Sequence, residues 1–301
     1  MNATVALEEQ LREELRDATK SGAICSLLVR GYGIDCDIDI VIRPEDAYEA
    51  MSLGKLGIIC YALDQVEREL LDLEDVVVIL DDHKRPGTGV LQFCPEGTEV
   101  PLGTLIEIIL IESDNTGTNA LIDHIGDSQS TINDWLMRHL ELCTTGLHDR
   151  DDLLFESDII KPEDVMKLLE WHGSRESFSL VFSALDRSHC RSGLRGFSKG
   201  EKLGWLKKAQ LEVADTLNAF GLASEALSKR LLNTSLRNKP SRVAALKEGF
   251  HPDFCDQRYF HEAGWFLGSQ HDFKVVLQTI DAPPATITRI GEILYNWSEK
   301  E

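Results

Sequence analysis

No stretch of this chain approaches the ~18 consecutive apolar residues that a membrane-spanning helix needs. With 43% hydrophobic and 27% charged residues it reads instead as an ordinary globular protein, with no membrane partner expected. The opening segment MNATVALEEQLREELRD is charged and lacks the apolar core of a secretory signal, so the expected location is cytoplasmic. Paired cysteines are also missing. The seven present (Cys25, Cys36, Cys60, Cys94, Cys143, Cys190, Cys255) are scattered, odd in number and form no C-x-x-C, which suits reduced packing thiols. The nine histidines form no H-E-x-x-H, and His261-Glu262 lies in a strand-like run where alternation would face the two apart. There is no G-x-x-x-x-G-K phosphate loop either. No metal or cofactor is therefore expected. Positive charge is scarce overall: 31 Lys and Arg against 51 Asp and Glu give a net charge of −20, which repels phosphate backbones and argues against a nucleic-acid partner. The exception is Asp186–Lys247, with thirteen Lys or Arg against five Asp or Glu; a solvated helical face is its simplest reading.

The hydrophobic pattern sets the architecture. Val5, Leu7, Leu11 and Leu15 recur at helical spacing, and Gly22 ends that stretch. Two strand-like runs follow, 23–30 and 37–43, separated by the turn-rich GYGID. From Ala47 the pattern becomes helical and strongly apolar through Leu70. A loop with Pro86, Gly87 and Gly89 precedes a mainly helical middle, with helices expected at 117–125, 131–140 (Ser130 as N-cap), 162–172 and within 200–232. Strands return at 242–246, 259–267 and 273–280, and a helix over 284–297 closes the chain. Neither end alone has enough strands for a stable sheet. Paired, they make one antiparallel sheet flanked by helices, with an all-helical lobe inserted: an α/β (α+β) protein. The expected organisation is a single domain over 1–301. Residues 1–46 and 240–301 form the sheet lobe and 47–239 the helical lobe, with a basic helical insertion at about 195–235.

Three short motifs carry chemistry. In Ser52-Leu53-Gly54-Lys55, a hydroxyl and an amine three residues apart share one helix face. Serine is a poor nucleophile until a base takes its proton, and a desolvated Lys beside a second cation can be that base. Ser52 is the only Ser in the chain with Lys at the third following position. In Ser113-Asp114-Asn115, a second hydroxyl can relay protons, and the Asn amide can both donate to and accept from an acyl-side amide. In Lys247-Glu248-Gly249, a cation can tune Lys55 and hold an anionic substrate group, while Gly249 lets substrate approach the backbone. The N–H groups of Ser52 and Phe250 could then form an oxyanion hole. Taken singly, the second motif is an ordinary helix cap and the third an ordinary strand end.

In this order, however, S-x-x-K, S-D-N and K-[ST]-G resemble the signature of class A β-lactamases and penicillin-binding proteins. SLGKLGIICYALDQVERELLDLED is similar to the nucleophile helix of that family, RPGTGVLQ to its Gly-rich segment, and SDNTGTNALIDHIG to its second motif and the helix after it. KPEDVMKLL resembles the helix start after its Ω-loop, and LKEGF with FHEAGWFLG its third motif and following strand. The resemblance implies a β-lactamase-like fold and a serine acyl-hydrolase. Ser52 would be acylated, Lys55 would be its base, Ser113 a proton shuttle and Lys247 the third-motif cation. Asn115, Glu248, Gly249 and Phe250 would bind a small-molecule ester, amide or lactam.

Two departures bear on function. The family's E-x-x-L-N, whose Glu activates the deacylating water, is absent from GLHDRDDLLFESDIIKP, although Asp149, Asp151, Asp152, Glu156 and Asp158 make that stretch acidic. Glu248 replaces the Ser or Thr that helps hold a substrate carboxylate, so a neutral or cationic substrate group is expected there. The same acyl-enzyme could serve an acyltransferase or cyclase. A non-catalytic ligand-binding relative is a further alternative, opposed by the retained nucleophile–base pair. The oligomeric state is left open.

Overall fold

The computed structural model describes residues 3–32, 37–126, 129–142, 159–188, 194, 243–254, 257–268 and 270–299. Helix α1 (Ala3–Lys20) leads into β1 (Ile24–Gly31) and β2 (Asp39–Ile42). The other end of the chain supplies β7 (Val243–Phe254), β8 (Gln257–Leu267), β9 (Asp272–Ile280) and the closing helix α8 (Pro284–Ser298). These strands form one five-stranded sheet in the order β2-β1-β9-β8-β7, antiparallel throughout. The two chain ends are thus joined by the β1–β9 ladder from Ile24↔Ile280 to Gly31↔Phe273.

Strand alternation splits the core in two. Leu27 and Val29 of β1, with Val275 and Leu277 of β9, face α1 and α8 and pack with Leu11, Ile290 and Trp297. Leu28, Val276, Ala263 and Trp265 point the other way, into the helical part. Because both faces are covered, β9 is buried along nearly its whole length.

Between the sheet halves run β3 (Tyr48–Glu49), the 3₁₀ turn Met51–Leu53, α2 (Gly54–Glu67), β4 (Val76–Ile79), β5 (Thr98–Pro101), α3 (Leu102–Glu112), α4 (Asn115–Ile125), α5 (Gln129–Leu140), β6 (Ile159–Ile160), α6 (Pro162–Gly173) and α7 (Phe178–Asp186). Helix α2 is buried on every side from Gly54 to Gln65, as befits a helix apolar all round, and it is the axis of the helical part. Each fully buried Leu or Ile contributes roughly 1.5–3 kcal/mol relative to exposure, so the start of α2 is held rigidly. Among the described residues no helix is long and apolar enough to cross a membrane.

Several expected boundaries shift. The helix expected from Ala47 begins at Gly54, because Tyr48 and Glu49 instead pair with Ile160 and Ile159. The strand expected over 242–246 continues to Phe254, carried by its ladder with β8. Ser130 lies inside α5 rather than capping it. Helices α3 and α7, the β4–β5 hairpin and β6 were not anticipated. The expected helices within 200–232 and the basic insertion lie outside the described residues.

Candidate active site

Four segments converge at the start of α2. Ser52 sits in the 3₁₀ turn, half-buried, after Met51, whose φ of +46° is left-handed. That conformation costs a side-chain-bearing residue roughly 1–2 kcal/mol and must be imposed by its surroundings. The Leu53 N–H donates to the Ala50 carbonyl at 3.1 Å, closing the turn. One helical step later Lys55 is buried, and its Nζ donates to Ser113 O at 2.6 Å, Ser113 Oγ at 3.1 Å and Asn115 Oδ1 at 2.7 Å.

The second motif spans the break between α3 and α4. Ser113 ends α3 in a left-handed conformation (φ 54°, ψ 40°), and this turns its side chain back toward Lys55. Asp114 caps α4: Oδ1 accepts from Gly117 N at 2.8 Å, and Oδ2 accepts from Val90 N at 2.6 Å and Leu91 N at 2.9 Å. Burial pushes its carboxyl above the ordinary carboxylate range, against the opposing pull of those N–H groups and of Lys55. Asp114 therefore ties the Gly-rich loop to the motif. Gly89 makes the approach possible: with φ of +103°, a Cβ there would lie 2.2 Å from Asp114 Cγ. Asn115 is fixed in the same way, its Nδ2 donating to Pro86 O at 3.1 Å. Thr88 Oγ1 donates to Ser113 O at 2.6 Å.

From the sheet side, Lys247 of β7 is also buried, and its Nζ donates to Ser113 Oγ at 3.0 Å and to the Glu248 carbonyl at 2.8 Å. Ser113 Oγ is thus bracketed by two lysine amines. With both lone pairs accepting, its own hydrogen is left to point at a third group. Gly249 shares the Lys247 face of β7, and a Cβ on it would come within 3.3 Å of Ser52 N and 3.2 Å of Met51 Cβ. The strand backbone therefore lies directly against the Ser52 turn. Phe250 follows in the same strand, paired with Phe260.

Of the eight residues expected from sequence, the structure brings Ser52, Lys55, Ser113, Asn115, Lys247 and Gly249 together. Phe250 contributes its backbone position in the edge strand. Glu248 is buried opposite Glu262 in the β7–β8 ladder. Alternation places it with Leu246, whose side chain packs among the α1 and α8 residues. Its side chain thus leaves the Lys247 face, and only its carbonyl reaches the site. The acidic residues Asp149, Asp151, Asp152, Glu156 and Asp158 lie outside the described residues. Sequence reasoning missed Thr88 and the bridging role of Asp114; the run RPGTGV was the available signal for both. Among the described residues no group of three or more His, Cys, Asp or Glu could hold a metal ion.

A model of the β-lactamase enzyme family matches residues 6–222. No curated protein matches the chain. Solved structures do. A β-lactamase from Sphaerobacter thermophilus is similar at TM-score 0.71 and 16% identity, over 96% of each chain. PBP-A is similar at 0.70 and 16%, over 97% of this chain and 95% of that one. The TLA-3 extended-spectrum β-lactamase is similar at 0.72 and 14%, over 99% and 100%. At such identities the structures establish the fold, and the family match over most of the sequence establishes descent: the chain belongs to the β-lactamase enzyme family and is a serine hydrolase of the β-lactamase and penicillin-binding-protein type.

Proposed function

We propose that the protein forms an acyl-enzyme at Ser52 with a small-molecule ester, amide or lactam and hydrolyses it. The observation that carries this reading is Ser113 Oγ bracketed by Lys55 Nζ at 3.1 Å and Lys247 Nζ at 3.0 Å, one turn from Ser52. In its neutral form Lys55 takes the proton from Ser52 Oγ as that oxygen bonds to the acyl carbon. The negative charge that develops on the carbonyl oxygen is met by the N–H of Ser52 and that of Phe250. Each such donor is typically worth roughly 10²–10³ in rate. Collapse breaks the bond to the leaving group, which takes its proton from Ser113 Oγ, and the Lys55 ammonium resupplies Ser113. Lys247 holds the Ser113 hydroxyl in line and offers positive charge to the substrate. Asn115 has its Oδ1 engaged by Lys55 and its Nδ2 by Pro86, so it acts first by orienting Lys55.

A mutant of PBP-A has been captured as an acyl-enzyme with penicillin G, and penicillins are the natural first probe here. The test is intact mass after exposure to a panel of activated esters and β-lactams, in wild type and Ser52→Ala. A covalent adduct that disappears in the mutant is expected. An adduct of equal yield in Ser52→Ala refutes the proposal.

A further inference from the structure

We propose that His261 is a positioning residue for the nucleophile: its Nε2–H, bonded to the Glu49 carbonyl, fixes the entry to the turn that carries Met51 and Ser52. The inference rests on the reading of Ser52 as the nucleophile. His261 lies in β8, fully buried, and its Nε2 is 2.9 Å from Glu49 O. On the other side of the ring, Nδ1 accepts the Thr279 N–H at 3.2 Å. A backbone N–H can only donate, so Nδ1 carries no proton and the single ring proton sits on Nε2, aimed at Glu49. Burial holds the imidazole pKa down to about 4, opposed by the backbone of Glu49 and of Phe260, so the neutral ring persists at neutral pH. The rings of Tyr48 and Tyr259 meet it in T-shaped contacts, with centroids 5.6 Å and 5.9 Å away.

The placement explains why a bracket is needed here. Strand β3 is only two residues long, and its ladder to Ile159 and Ile160 is a weak anchor by itself. Two residues after Glu49, Met51 holds φ +46°, which persists only where the surroundings over-determine it. His261 is the cross-strand partner of Gly249. One strand pair therefore grips the turn at two points: Gly249 lies against Ser52 N, and His261 holds Glu49 O. With the second grip lost, the turn can relax toward an ordinary φ and carry Ser52 away from Lys55. A misplacement of about 1 Å costs on the order of 10²-fold in rate.

The experiment compares wild type, His261→Leu and His261→Gln, all verified as folded. Gln keeps a side-chain N–H that can reach Glu49 O, and Leu keeps only bulk. Two quantities are read: the acylation rate constant with penicillin G, separated from its prior non-covalent binding constant, and hydrogen exchange of the amides across 50–53 in the unliganded protein. His261→Leu should lose roughly 10–100-fold in the acylation rate constant with binding nearly unchanged, and 50–53 should exchange faster. His261→Gln should recover most of both. Wild-type acylation and exchange in His261→Leu, or no recovery in His261→Gln, overturns the proposal. If wild type is never acylated, the nucleophile reading fails, and the exchange contrast between the two variants still decides whether His261 holds the turn.

Discussion

Replacing Gly89 by Ala should unfold the protein far more readily than the same change at Gly97, although both glycines have positive φ. Gly97 (φ +83°) has nothing within 4 Å of a built Cβ, so Gly97→Ala feels only backbone strain, about 1–2 kcal/mol. Gly89 (φ +103°) carries the same strain. In addition, its Cβ would lie 2.3 Å from Asp114 Oδ2 and 2.5 Å from the Asp114 Cα. Neither is the far end of a flexible chain, so the loop must lift. Lifting breaks the bonds from Val90 N and Leu91 N to the carboxylate, each worth roughly 1.5–3 kcal/mol as a charge-assisted bond. Partial relaxation brings the expected total for Gly89→Ala to about 3–5 kcal/mol. At ~2–4 °C per kcal/mol for a chain of this size, Tm should drop by roughly 6–20 °C, against a few degrees for Gly97→Ala. Urea unfolding of the three proteins, with equal m-values, measures the difference. Losses within about 0.5 kcal/mol of each other would refute the claim that Asp114 binds the loop to the second motif.

Other outcomes follow from the same geometry. Ser113→Ala should lower the acylation rate constant by ~10²–10⁴-fold with little change in non-covalent binding, read by stopped-flow with penicillin G; an unchanged rate constant removes Ser113 from the proton path. The buried His172 has its pKa lowered to about 4 by desolvation, opposed by its contact with Leu56 O, and His261 is lowered similarly. Between the ordinary histidine value of 6.5 and about 4 the unfolded chain binds protons that the native state does not. Stability should therefore be intact above about 6.5 and fall as pH drops to about 4, by up to about 1.4 kcal/mol per pH unit for each histidine. His172→Gln should roughly halve that slope in urea titrations, and a flat stability profile would contradict the burial argument. Because no E-x-x-L-N occurs in 146–162, penicillin turnover should show a burst of one equivalent and then a slow steady state; fast linear turnover would assign the deacylating role to one of the acidic residues there.

The sequence disclosed most where chemistry and chain order coincide. Ser52, Lys55, Ser113 and Lys247 were named from short motifs that are each ambiguous but occur in one significant order, and the antiparallel sheet was legible because neither chain end could make one alone. What it hid was direction and strain. Glu248 was read as a substrate-binding residue beside a turn, but β7 continues to Phe254, and alternation along it sends that side chain to the sheet face opposite Lys247. Nothing in A-M-S-L announces a left-handed Met51, since the segments packed against that turn, Gly249 among them, are distant in sequence. His261 looked inert because its partners, Glu49 O and Thr279 N, are backbone atoms distant in sequence.

The most direct test of the account is peptide mapping of the protein after a brief exposure to penicillin G, quenched in acid. A single adduct of one penicillin mass is expected on the peptide that contains Ser52, with fragment ions placing it on that residue and none on Ser113. An adduct located on Ser113 or on any other residue, with Ser52 unmodified, would contradict it.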